Sequence, residues 1–72
     1  MGFDYSKLLG KIKEKGLTQE ALAKQIGITP GSMSEKLNSK AFFKQREIFM
    51  ICQALDISIG EMGEYFFTQK VR

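Results

Sequence analysis

The chain has 72 residues, 43% of them hydrophobic, a net charge of +3, one cysteine and no histidine. That composition supports one small core, close to the size at which a single core suffices, and no run of about 18 apolar residues offers a membrane span. The lone Cys52 excludes an internal disulfide and suits a reducing, cytoplasmic setting, while scattered carboxylates without histidine leave no metal site, no resident cofactor and no histidine-based catalysis.

The opening MGFDYS loosely fits an N-myristoylation pattern. From Ser6 onward charged and apolar residues alternate, a pattern that reads as the start of a helix and not as a secretory leader. A first helix is predicted over 4–15, capped by Asp4, with Tyr5, Leu8, Leu9 and Ile12 forming the inward stripe and Gly16 ending it. Thr18 caps a second helix whose Leu22, Ala23 and Ile26 point inward. Gly27 ends it and Ile28 plugs the turn. Thr29 caps a third helix with Pro30 at its first position, where the missing N–H costs nothing. Met33 and Leu37 anchor this helix to the core, and Asn38-Ser39 terminates it.

Phe42 and Phe43 fall in the next loop. A fourth helix is predicted over 45–55, with Ile48, Ile51, Cys52 and Leu55 as its buried stripe. Cys52 on that stripe is expected to be a core thiol. Ser58 with Glu61 makes a capping box for a short fifth helix, and the tail EYFFTQKVR is aromatic first and basic last. No repeat, linker or low-complexity segment interrupts the pattern. The expectation is a single all-α domain over 1–72, a compact bundle of about five short helices.

Small residues at two places make 18–38 a helix-turn-helix. Ala23 lies where the second and third helices cross, and Gly27 sits where the chain must reverse within about three residues. Charge is segregated too. Lys36, Lys40, Lys44 and Arg46 form a positive stretch without an acid, and Asp56, Glu61 and Glu64 a negative shoulder without a base.

TQEALAKQIGITPGSMSEKLNSK resembles the Cro and repressor-type helix-turn-helix family (XRE). The order of short helices, the QxxLAxxxGI core and the Asn closing the third helix all match. The opening FDYSKLLGKI and closing GEYFFTQKV are similar to a subgroup of small regulators from temperate phages of Gram-positive bacteria. These act in lysis–lysogeny switches as Cro-like repressors or as antirepressors that modulate the main phage repressor. The resemblance implies a lambda-repressor-like fold and double-stranded operator DNA as a partner. Gln19 would then hydrogen-bond a phosphate at a helix N-terminus. Thr29, Pro30, Gly31, Ser32 and Glu35 would face base edges, and Lys36, Asn38, Lys40 and Lys44 the flanking backbone.

Two departures weaken that inference. Leu37 stands one place later than the apolar anchor of many relatives. Pro30, Gly31, Ser32 and Glu35 also include no Arg, Lys, Asn or Gln, the usual bidentate base readers, and Glu35 repels phosphate. The main reading is a small, dimeric DNA-binding repressor that controls such a switch. Neutralising about four phosphates would give a log–log salt slope near −3.6. The alternative is an antirepressor that holds the cognate phage repressor through Ser32, Glu35, Lys36, Phe42 and Phe43. The bland alternatives are a solvated basic loop and loop aromatics folded over the core. Tyr65, Phe66 and Phe67 cannot all face one side of a helix, so either a homodimer covers one of them or Phe66 joins the core and the others lie on the surface. An enzyme, or a protein with a small-molecule substrate, is not expected: there is no Gly-rich phosphate loop and no activated nucleophile.

Overall fold

The computed structural model describes residues 2–70. Its helices are α1 (Ser6–Glu14), α2 (Gln19–Ile26), α3 (Pro30–Leu37), α4 (Gln45–Leu55) and α5 (Met62–Phe66), with a 3₁₀ turn, Ile59–Glu61, leading into α5. There is no β-strand among the described residues, only a single antiparallel bridge between Phe3 and Gln69. The fold is all-α, as expected, and no helix among the described residues is long and apolar enough to cross a membrane.

Helix boundaries obey local chemistry. Thr18 and Thr29 each turn their hydroxyl oxygen onto a free backbone N–H, of Ala21 at 3.0 Å and Ser32 at 3.1 Å. The first helix starts later than its pattern predicts. Tyr5 takes the cap position of α1, and Asp4 instead accepts from the Ser6 N–H at 2.9 Å and from the Ser6 hydroxyl. Glu61 reaches back to the Ser58 N–H at 3.3 Å, which leads the chain into the 3₁₀ turn rather than directly into a helix.

Four helices end alike, with one residue in the left-handed region and the next N–H reaching back over the last turn. The reaching bonds are Leu17 to Ile12 at 3.1 Å, Ile28 to Ala23 at 3.0 Å, Lys40 to Glu35 at 2.8 Å and Ile57 to Cys52 at 2.9 Å. Gly16 and Gly27 fill the left-handed position in the first two. In the others it is Ser39 (φ 61°) and Asp56 (φ 57°), residues with a Cβ.

Leu8, Ile12, Leu22, Ala23, Ile26, Met33, Ile51, Leu55 and Phe66 are buried at the centre of the bundle. Burying each large aliphatic side chain contributes about 1.5–3 kcal/mol before the entropy of ordering is subtracted. Leu9 is the exception to the predicted stripe of α1; it lies on the edge of that stripe and is partly exposed. The two ends of the chain are tied together. The Asp4 N–H donates to the Thr68 carbonyl at 2.7 Å and the Lys70 N–H to the Gly2 carbonyl at 3.1 Å. Ser39 joins this clasp: its hydroxyl donates to the Phe3 carbonyl at 2.8 Å and accepts the Phe3 N–H at 3.0 Å.

Candidate functional site

α2 and α3 are joined by a three-residue turn, 27–29, and pack against one another. Leu22, Ala23 and Ile26 on one helix and Met33, Lys36 and Leu37 on the other are buried, so Pro30, Gly31, Ser34 and Glu35 are what α3 turns fully outward. Gln19, Thr29, Pro30, Gly31, Glu35, Asn38, Lys40 and Lys44 are all exposed, and Ser32 is half-buried. Several outward groups are already engaged. The Thr29 oxygen caps Ser32, and the Asn38 side-chain amide donates to the Ser34 carbonyl at 2.9 Å, closing the end of α3. Pro30 and Gly31 offer no side-chain donor. Glu35 forms no ion pair among the described residues.

Lys36 departs from the expectation that it lies on the DNA-facing and partner-facing surface. It is only 7% exposed, and its ammonium donates to both carboxylate oxygens of Glu47, at 2.6 and 2.7 Å. The physical reason lies on α4. Glu47 occupies the same side as Ile51, turned into the bundle, and a carboxylate there needs a charged partner. Lys36, one turn after Met33 on α3, is the ammonium within reach. Glu47 also accepts the Lys44 N–H at 2.9 Å, closing the start of α4. Burial pushes the Glu47 carboxyl up, but the hydrogen bonds from Lys36 and Lys44 and their positive charges more than reverse this, leaving it below the ordinary carboxylate value. One pair thus joins α3 to α4 and removes the only cation that α3 contributed.

Phe42 and Phe43 are adjacent in sequence and diverge in space. Phe43 packs edge-to-face against Tyr5 at 5.4 Å and Phe66 at 5.5 Å, inside an aromatic row that continues through Phe3 to Phe67. Phe43, expected among the partner-facing residues, is half-buried against the core. Phe42 is 80% exposed. In the tail, Tyr65 and Phe66 are buried and Phe67 is exposed, so one aromatic of the three stays outside. Cys52 is a buried thiol whose pKa burial raises.

One residue beyond those singled out from sequence completes the surroundings, Glu47. Arg46, the last cation of the positive stretch, turns toward α2, where its guanidinium donates to the Ile26 carbonyl at 3.4 Å. The available sequence signal was a charged residue inside the apolar stripe of α4, since such a residue demands a partner.

The surface that remains is narrow: hydroxyls and backbone at the start of α3, the free carboxylate of Glu35 and the bare ring of Phe42, flanked by Gln19, Lys40 and Lys44. Comparison with known proteins gives this surface a context. No curated protein matches the chain. Among solved structures, it is similar to the modulator of repression (MOR) of the temperate bacteriophage TP901-1 from Lactococcus lactis. The two are 40% identical, the match covers 100% of this chain and 97% of that one, and the TM-score is 0.78. The model of a family described as "Protein of unknown function (DUF739)" matches residues 1–69, and the chain belongs to that family.

Proposed function

We propose that this chain is a phage-type regulator that acts by binding a repressor rather than by reading DNA itself. The observation that carries this reading is the withdrawal of Lys36 into the ion pair with Glu47. Without it, the outward face of α3 has no cation and no bidentate base reader, and its one charge is the carboxylate of Glu35. A carboxylate is repelled by phosphate and attracted by the basic residues that line a DNA-binding helix. Phe42 supplies the large apolar group that such a contact needs at its centre. The full-length similarity to a modulator of repression supports the same choice. In this reading the α2–turn–α3 unit keeps the helix-turn-helix form of the Cro and repressor family while its recognition helix serves a protein partner.

A second reading, auxiliary contact with DNA, draws on the exposure of Gln19, Lys40 and Lys44. Such contacts position a protein on the backbone and carry no sequence information. They suit a ternary complex of this chain, repressor and operator.

Titration calorimetry of the chain against the DNA-binding domain of the repressor encoded beside it tests the proposal. A 1:1 complex is expected, weakened at least about tenfold by Glu35→Lys, a loss of about 1.4 kcal/mol. No heat of binding at any concentration would remove the repressor as the target.

A further inference from the structure

A groove runs between one side of α4 and the corner formed by the 3₁₀ turn and α5. Its volume is ≈ 310 Å³, and Gln45, Ile48, Phe49, Cys52, Ile59 and Met62 line it, none of them charged. Each wall carries a large apolar side chain held out in solvent: Phe49, 57% exposed, from α4, and Ile59, 81% exposed, from the 3₁₀ turn.

The ends of α4 are charged against its own dipole. A helix N-terminus carries about half a positive charge and its C-terminus about half a negative one, so acids are favoured first and bases last. Here Lys44 is the N-cap and Arg46 lies in the first turn, while Asp56 is the C-cap and the last turn holds no base. Glu47 is the one acid in the first turn, and its carboxylate is committed to Lys36. The arrangement is unfavourable for the helix itself and is offset only in part within the chain, by the exposed Lys15–Asp56 ion pair at 3.2 Å and by the Arg46 guanidinium on the Ile26 carbonyl at 3.4 Å. It becomes favourable when a second helix of the same kind lies alongside in the opposite direction.

We propose that a second copy of this chain covers the groove, with the two α4 helices antiparallel about a two-fold axis beside Phe49, at the level of Met50 along the helix. Lys44 of each copy then lies beside Asp56 and the negative helix end of the other. Lys44 and Asp56 are each six positions from Met50, about 9 Å along the helix, so one axis satisfies both ends. A two-fold interface must be self-complementary, and an uncharged centre between oppositely charged ends meets that condition. Phe49 of each copy enters the other's groove. The patch is at the small end of specific interfaces, so the dimer is reversible and depends on concentration. Its exposed end charges make it weaker in high salt. The aromatic tail, where the sequence pattern placed self-association, contributes less, because Tyr65 and Phe66 are spent on the core.

Sedimentation velocity of the chain alone, over a range of concentrations at low and high salt, reads this directly. The native chain is expected to shift from monomer to dimer with concentration. Phe49→Glu and Phe49→Lys should each weaken dimerisation about tenfold or more, by placing like charges across the axis. An equal mixture of the two variants should restore it, because the charges are then opposite. Phe49 is exposed, and circular dichroism checks that both variants fold. Should either fail to fold, concentration-dependent amide shifts of the native chain, confined to α4 and residues 59–62, are the expected result. A chain monomeric up to its solubility limit overturns the proposal, and so does a dimer indifferent to both substitutions. Loss of repressor binding by Phe49→Glu in an otherwise monomeric protein would assign the groove to the repressor and equally overturn it.

Discussion

Lys36 and Glu47 face each other inside the bundle, with the ammonium of one on both carboxylate oxygens of the other, their side chains 9% and 5% exposed. This pair decides both how α3 is held and what α3 can touch. Removing one partner leaves a buried charge uncompensated. Lys36→Ala or Glu47→Ala should therefore cost about 3–5 kcal/mol in urea denaturation, while the paired change Lys36→Met with Glu47→Leu should cost much less. Equal losses for the single and double variants would mean that packing, not charge, sets the cost.

The same pair predicts acid sensitivity. The Glu47 carboxyl lies below its ordinary value of 4.5 in the folded chain. A depressed folded value contributes stability that is fully present above the unfolded value and is lost as pH falls through the folded one. The urea midpoint should hold as pH falls to about 4.5 and decline below it, and Glu47→Gln should flatten part of that decline. A midpoint with the same acid limb in both proteins would contradict this.

Phe42 and Phe43 should separate stability from binding. Phe43→Ala removes the ring between Tyr5 and Phe66 and should cost about 2–4 kcal/mol. Phe42→Ala, at an 80% exposed position, should change stability by less than about 0.5 kcal/mol. It should nonetheless weaken the repressor complex about tenfold or more. Thermal melts and calorimetry on the two variants give both readings.

Much of this was legible in the sequence. Thr18 and Thr29 announced two helix starts, Gly16 and Gly27 two helix ends, and Leu22, Ile26, Met33 and Leu37 the faces that meet. α4 spans the residues its pattern predicts. The Lys36–Glu47 pair was not legible, because its members are 11 positions apart and each looks like an ordinary surface charge on its own helix. Only the position of Glu47 among Ile51 and other inward residues betrays it. The tying of the chain ends was illegible for another reason: the bonds that run directly between them are backbone hydrogen bonds, which leave no residue signature. The divergence of Phe42 and Phe43 depends on where α5 places Phe66, a tertiary fact.

Ser39 and Asp56, both left-handed, should respond oppositely to glycine. Asp56→Gly relieves backbone strain and loses only an exposed ion pair with Lys15, so it should stabilise by about 0.5–1 kcal/mol. Ser39→Gly relieves similar strain but loses both hydrogen bonds to Phe3, so it should destabilise by about 1 kcal/mol. Stabilisation in both would mean that the Ser39 link between α3 and the chain ends contributes little.

Whether α3 serves a repressor, as proposed, or a base sequence can be read on the operator itself. The most direct measurement is electrophoretic retardation of the operator DNA beside its gene at two salt concentrations, with this chain alone, the repressor alone and both together. The expected result is no tight complex with the chain alone and a repressor–operator complex that is lost or altered when the chain is added, with Glu35→Lys blunting that effect. Tight, salt-sensitive binding of the operator by the chain alone, with the repressor's own binding unchanged, would contradict it.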